Sequence, residues 1–151
     1  MPTAPHDTEY YLETARELAT RVAANVDRIE AGRQLPTELA NEIADSGFFR
    51  LLVPRSLGGA ELDHPTFRKI LEIISAADGS TAWCINQNNV FATDCVRIPE
   101  QTAKEIWGEK RAVVTNGPPT ASSKAVPVGG GYKLSGDRKS TRLNSSHTSI
   151  S

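Results

Sequence analysis

Along residues 8–31 the apolar positions are Leu12, Ala15, Ala19, Val22, Val26 and Ile29. Alternating steps of three and four put them on one face of a single helix, since 3.6 residues complete a turn. Glu13, Arg16, Arg21 and Arg28 take the other side, and Gly32 marks the end. A second helix is expected over 36–46. Pro36 lies in its first turn, Leu39, Ile43 and Ala44 face inward, and Gly47 sits just past its end. Phe48, Phe49, Leu51, Leu52 and Val53 form a run too short for a further helix before Pro54, and read as a buried extended crossing. The stretch PRSLGGAELDHP is then a loop with Gly58-Gly59 as its flexible point.

Asp63 suits the cap of the next helix, with Pro65 just inside and Phe67, Ile70, Leu71 and Ile74 on one face. Gly79 breaks that helix. Ser80 or Thr81 caps another, running to about Cys95, with Ala82, Trp83, Val90 and Phe91 as its larger positions. Pro99 opens a short amphipathic helix with Ala103, Ile106 and Trp107 inside and Gly108 as its stop. Beyond Gly108 the pattern changes. Residues 112–115 are rich in β-formers, and two short strands, 124–128 and 132–135, flank Gly129-Gly130-Gly131, a hairpin signal. The expectation is a mainly α chain: five helices leading into the first strands of a sheet, with a helical domain over 1–110 and a β domain beginning at 111–136.

Residues 137–151 do not continue this pattern. DRKSTRLNSSHTSIS holds no aromatic residue and no apolar period, and it follows the hairpin signal without a linker. The run from Asp137 to His147 reads as a translated sequencing adapter, so 137–151 is expected to be a non-native tail and is set aside from fold reasoning. Residues 1–136 then carry 14 basic and 17 acidic side chains. No basic stripe is present, which removes the electrostatic case for nucleic acid. No apolar stretch approaches the ~20 residues of a membrane span. The N-terminus lacks the pattern of a secretion signal, and Cys84 and Cys95 stand eleven apart with no CxxC. A cytoplasmic protein with reduced thiols is expected.

The chemistry visible in the chain is sparse. HExxH, GxGxxG, P-loop and GxSxG motifs are all lacking. His64 stands alone at a helix start without a partner, and no metal-ligand spacing occurs. The segment ADGSTAWCINQNN is unusual because Asn86, Gln87, Asn88 and Asn89 are consecutive amides on a helix, where Asn competes with the backbone for hydrogen bonds. Two readings stay open: a polar cavity or subunit contact, and a solvated face. Trp83 with Phe91 is either plain core or a π-surface for a planar ligand. Asn116-Gly117-Pro118-Pro119 is either a simple loop or a turn offering amide and carbonyl groups to a heteroaromatic ring.

LVPRSLGGAELD, ISAADGSTAW, PEQTAKEIWG, a strand and VGGGYKLSG, in that order, resemble the N-terminal part of the acyl-CoA dehydrogenase superfamily. The nearest likeness is to its flavin-dependent, two-component monooxygenase branch. The resemblance covers nearly all of residues 8–136. It implies an N-terminal helical domain, a middle β-barrel domain that is only begun here, a C-terminal four-helix bundle, and assembly as a homotetramer. It implies a flavin, FMN or FAD, supplied reduced by a partner reductase, with the turn at Thr115, Asn116 and Gly117 against the ring. Trp83, Asn88 and Asn89 would line the side of a small aromatic or polycyclic substrate. The family's catalytic groups lie in its C-terminal part, so no catalytic residue is assigned. The dehydrogenases carry a Thr-Glu-Pro then Gly-Ser-Asp pattern after the first strand; TNGPPTASS departs from it, which favours the oxygenase branch by analogy. An acyl-CoA dehydrogenase and a non-enzymatic helical interaction module are the alternatives.

Overall fold

The computed structural model describes residues 7–115 and 123–136. The chain divides into two compact units, Met1–Thr115 and Asn116–Ser151.

In the first unit, α1 (Thr8–Ala23) opens on Asp7, whose carboxylate accepts the Tyr10 N–H at 2.9 Å. Its buried face is Tyr11, Ala15, Leu18 and Val22, so Tyr11 and Leu18 join two members of the expected stripe. The single helix expected over 8–31 is instead two, because α2 (Val26–Gly32) begins afresh. The break lies at Asn25, whose side-chain amide donates to the Arg21 carbonyl at 2.9 Å and whose Oδ1 accepts from Arg28. An Asn that bonds backbone locally offers the chain an alternative to continuing the helix. The helix does end at Gly32, but the left-handed residue that closes it is Arg33, φ +51°, not the glycine. After α3 (Thr37–Asp45) Gly47 takes that role at φ +79°.

Residues 48–53 cross the unit almost wholly buried. They form no regular strand, yet the returning loop bonds along them: Ala60 N–H to the Arg50 carbonyl, Leu62 to Leu51 and Glu61 to Val53, at 2.8–3.0 Å. This corrects the reading of Gly58-Gly59 as a flexible point. Gly58 holds φ +79°, and a Cβ on Gly59 would stand 2.0 Å from the Val53 carbonyl oxygen. Gly58 serves a left-handed backbone conformation and Gly59 a close approach to the crossing.

Asp63 caps α4 (His64–Ala77), accepting from the Thr66 N–H at 2.8 Å and its hydroxyl at 2.9 Å. Asp78 then serves two helices. Its N–H closes the end of α4 on Ile74, and its carboxylate caps α5 (Gly79–Ala92) by accepting from Thr81 N–H at 2.6 Å and Ser80 Oγ at 2.7 Å. The cap is therefore Asp78, not Ser80 or Thr81, and Gly79 is the first residue of α5 rather than a break between helices. A 3₁₀ turn, Thr93–Arg97, leads to Pro99 and α6 (Glu100–Trp107). Ala103 and Trp107 are buried, whereas Ile106, expected inside, is exposed.

Helix α1 packs on α4, and α4 on α5. Their inner faces, with α3 and the crossing, close over one apolar cluster that includes Leu18, Ile43, Phe48, Leu51, Ile70, Ile74 and Ile85. A smaller cluster gathers Val53, Ala92, Cys95, Ala103 and Trp107. Residues 112–115 form no strand. Val113 packs on the first cluster and Val114 on the second, and Ala112 N–H closes a turn on the Glu109 carbonyl. β-propensity alone does not make a strand without a neighbouring chain to pair with.

In the second unit, β1 (Lys124–Val128) and β2 (Gly131–Ser135) form an antiparallel hairpin, with Lys124 opposite Ser135 and Val128 opposite Gly131. Gly130 supplies the positive φ of the turn, +85°. Pro127, opposite Tyr132, has no N–H to give and so belongs to a pair that exchanges no hydrogen bonds. Ala125, Pro127, Tyr132 and Leu134 share one face, and that face is exposed. Residues 137–151 lie outside the described residues.

Candidate functional site

Helix α5 carries most of the residues singled out from the sequence, and it has an inverted character. Its buried side includes Thr81, Ala82, Ile85, Asn88, Asn89 and Ala92. Its outer side presents Trp83, 50% exposed, and Val90, 45% exposed. A helix usually shows the reverse, with polar groups outward and large apolar groups inward.

The four consecutive amides separate into different roles. Asn89 is fully buried. Its Oδ1 accepts the Leu52 N–H at 3.1 Å, and its Nδ2 donates to the carbonyls of Phe48 at 2.7 Å and Ile85 at 2.9 Å. One side chain thereby satisfies both backbone groups of the irregular crossing that no strand ladder would satisfy. Asn88 is 6% exposed; its Nδ2 donates to the Cys84 carbonyl at 2.9 Å, and its Oδ1 is buried without a partner among the described residues. Asn86 and Gln87 are half-buried. Trp83, Asn88 and Asn89 are thus brought onto one helix but not onto one surface. At about 100° per residue, Asn88 and Asn89 lie roughly 120–140° around the helix from Trp83. Asn89 serves the framework.

Thr115 is exposed at the end of the first unit, directly after the anchored Val113 and Val114. Asn116 and Gly117 lie outside the described residues. His64 is exposed at the start of α4. Among the described residues no group of three His, Cys, Asp or Glu is placed to hold a metal, no helix is long and apolar enough to cross a membrane, and Cys84 and Cys95 form no disulfide.

The residue that sequence reasoning missed is Arg50. It is 6% exposed and donates to four backbone carbonyls: Leu57, Trp107 at 2.7 Å, Glu109 at 3.0 Å and Lys110 at 3.3 Å. Burial lowers its pKa from the ordinary arginine value. The signal that could have found it is a single Arg inside the apolar run FFRLLV, where a buried charge needs hydrogen-bond partners. Both terminal nitrogens of Arg50 have them, while its Nε is buried without one among the described residues.

The family described as acyl-CoA dehydrogenase, N-terminal domain, matches residues 5–112. The chain is 26% identical over 130 residues to the oxygenase subunit HsaA, a flavin-dependent monooxygenase of Mycobacterium tuberculosis, covering 86% of this chain and 33% of the relative. It is 28% identical over 116 residues to indole-3-acetate monooxygenase of Pseudomonas putida, covering 77% of this chain and 30% of the relative. Among solved structures, XiaF from Streptomyces sp., in complex with FADH2 and glycerol, matches with a TM-score of 0.78 at 26% identity, covering 85% of this chain and 33% of that one. The chain spans about a third of the length of the curated relatives it matches.

Proposed function

This chain belongs to the acyl-CoA dehydrogenase family, and we propose that it is the N-terminal part of a flavin-dependent monooxygenase acting on a small aromatic or polycyclic substrate. The observation that carries the reading is the match to monooxygenases across most of the chain. The departure of TNGPPTASS from the dehydrogenase pattern supports it.

The described residues suit a planar, redox-active ring. Thr115 is exposed at the end of an anchored segment, and Trp83 leaves half of an indole uncovered, where large aromatics are ordinarily buried. Thr115, Asn116 and Gly117 would hold the ring edge through backbone N–H and carbonyl groups. Trp83 would border the substrate and help to exclude water. Asn88, five residues further on and buried with an Oδ1 that has no partner among the described residues, would contribute from another side of the same helix. Asn89 would act on that wall only by holding α5 to the crossing. A bound reduced flavin, FMN or FAD, supplies the electrons that activate dioxygen. A partner reductase would deliver it. The intact protein would be a cytoplasmic homotetramer, with a helical N-terminal domain followed by a β domain.

The test uses the complete protein with a flavin reductase, NADH and ¹⁸O₂. The expected result is one ¹⁸O atom in each molecule of a hydroxylated aromatic product. Desaturation of an acyl thioester without isotope uptake would replace this reading with that of an acyl-CoA dehydrogenase.

A further inference from the structure

A charge as deeply buried as that of Arg50 is normally paired with a carboxylate. Among the described residues no ion pair involves Arg50. Its acceptors are instead the carbonyls of Trp107, Glu109 and Lys110, together with Leu57. The first three belong to the end of α6 and the turn that follows. Helix ends leave such carbonyls without intrahelical partners, and the negative end of the helix dipole favours a cation there. The dipole and four carbonyls together take the place of a counter-ion. The planar fork of a guanidinium suits several fixed acceptors, while an ammonium is a single point.

We propose that Arg50 is a positioning residue that fixes the path of residues 108–115 and thereby where Thr115 emerges. Its side chain gathers the tight loop at Leu57 and the exit of α6 onto the buried crossing, linking positions 50 or more residues apart in sequence. The rest of the segment is held on the same unit. Arg111 reaches Asp45 through two bonds, at 2.8 and 2.6 Å, and Val113 and Val114 enter the two apolar clusters. Arg50 is the buried polar anchor, and the pair at Arg111 is exposed, where ion pairs contribute little. The functional consequence rests on the reading that Thr115 opens the flavin turn. The positioning itself does not, so the experiment reads the segment without flavin.

Arg50→Gln and Arg50→Lys are made in this chain, and backbone hydrogen exchange is followed by mass spectrometry. In Arg50→Gln, exchange across 108–115 should rise about tenfold or more, the order expected for a lost charged hydrogen bond, while α1 and α4 keep their protection. Arg50→Lys should recover part of the loss. With Trp83→Phe as background, so that Trp107 is the remaining fluorophore, its emission should move to the red in Arg50→Gln. Unchanged exchange at 108–115, an equal rise everywhere, or failure of both variants to fold would overturn the proposal; the last two would make Arg50 a support of the whole unit rather than of this segment. Absence of flavin binding in the complete protein would sink the flavin reading and leave this result standing.

Discussion

At the scale of single residues, the helical unit depends on polar groups placed where the chain is irregular. The returning loop pairs part of the 48–53 crossing, and Asn89 supplies the partner of its Leu52 N–H and Phe48 carbonyl. Asn89→Ala leaves the Leu52 N–H and the Phe48 carbonyl without that partner. Each such orphan costs about 1–3 kcal/mol, so urea denaturation should show a loss of about 2–6 kcal/mol; a loss under about 0.5 kcal/mol would contradict the assignment. Gly59→Ala tests the same crossing from outside. Its Cβ would meet the Val53 carbonyl oxygen at 2.0 Å, and backbone cannot step aside as a flexible side chain can. A destabilisation of about 2 kcal/mol or more is expected in the same assay, and a neutral result would mean that the loop re-routes freely. The sequence marks these positions only faintly. A fourth amide in a row and a pair of glycines are visible, but which Asn turns inward, and whether glycine serves motion or contact, depends on neighbours distant in the chain.

At the scale of elements, periodicity located the helices well and their ends less well. The faces of α3 and α4 follow the apolar spacing, because a stripe of Leu39 and Ile43, or of Phe67, Ile70 and Ile74, has one way to be buried. The interruption at Asn25 was not legible, since the apolar spacing runs straight through it while the backbone bonds locally. For Trp83 the sequence left plain core and an open π-surface as alternatives, and the structure has it half exposed on a helix whose inner face is partly amide. The caps carry a pH prediction. The carboxyl of Asp63 is held below the usual range by hydrogen bonds from Thr66. Burial pushes Asp78 upward, but bonds from Thr81 and Ser80 together outweigh it and leave it lowered. Groups lowered in the folded state add stability above their unfolded value, about pH 4, and lose it as pH falls through the folded value. The melting temperature should therefore fall as pH drops below about 4, and Asp63→Ala with Asp78→Ala should flatten that fall. An unchanged slope would contradict the capping account.

At the scale of the whole molecule, two incomplete surfaces point the same way. The hairpin has an exposed apolar face, Ala125, Pro127, Tyr132 and Leu134, and an isolated two-stranded hairpin is marginal in water. The outer side of α5 likewise leaves Trp83 and Val90 half uncovered. Both suit a chain that matches about a third of the length of its relatives. The ordered set of motifs was enough to point to the family; of the expected flavin turn only Thr115 lies within the described residues. The most direct test of the account is anaerobic titration of the complete protein with reduced flavin, followed by tryptophan fluorescence. The account predicts saturable binding that quenches the signal, with the quench diminished in Trp83→Phe. Absence of saturable binding at any flavin concentration tested would contradict it and favour a helical module that binds another protein.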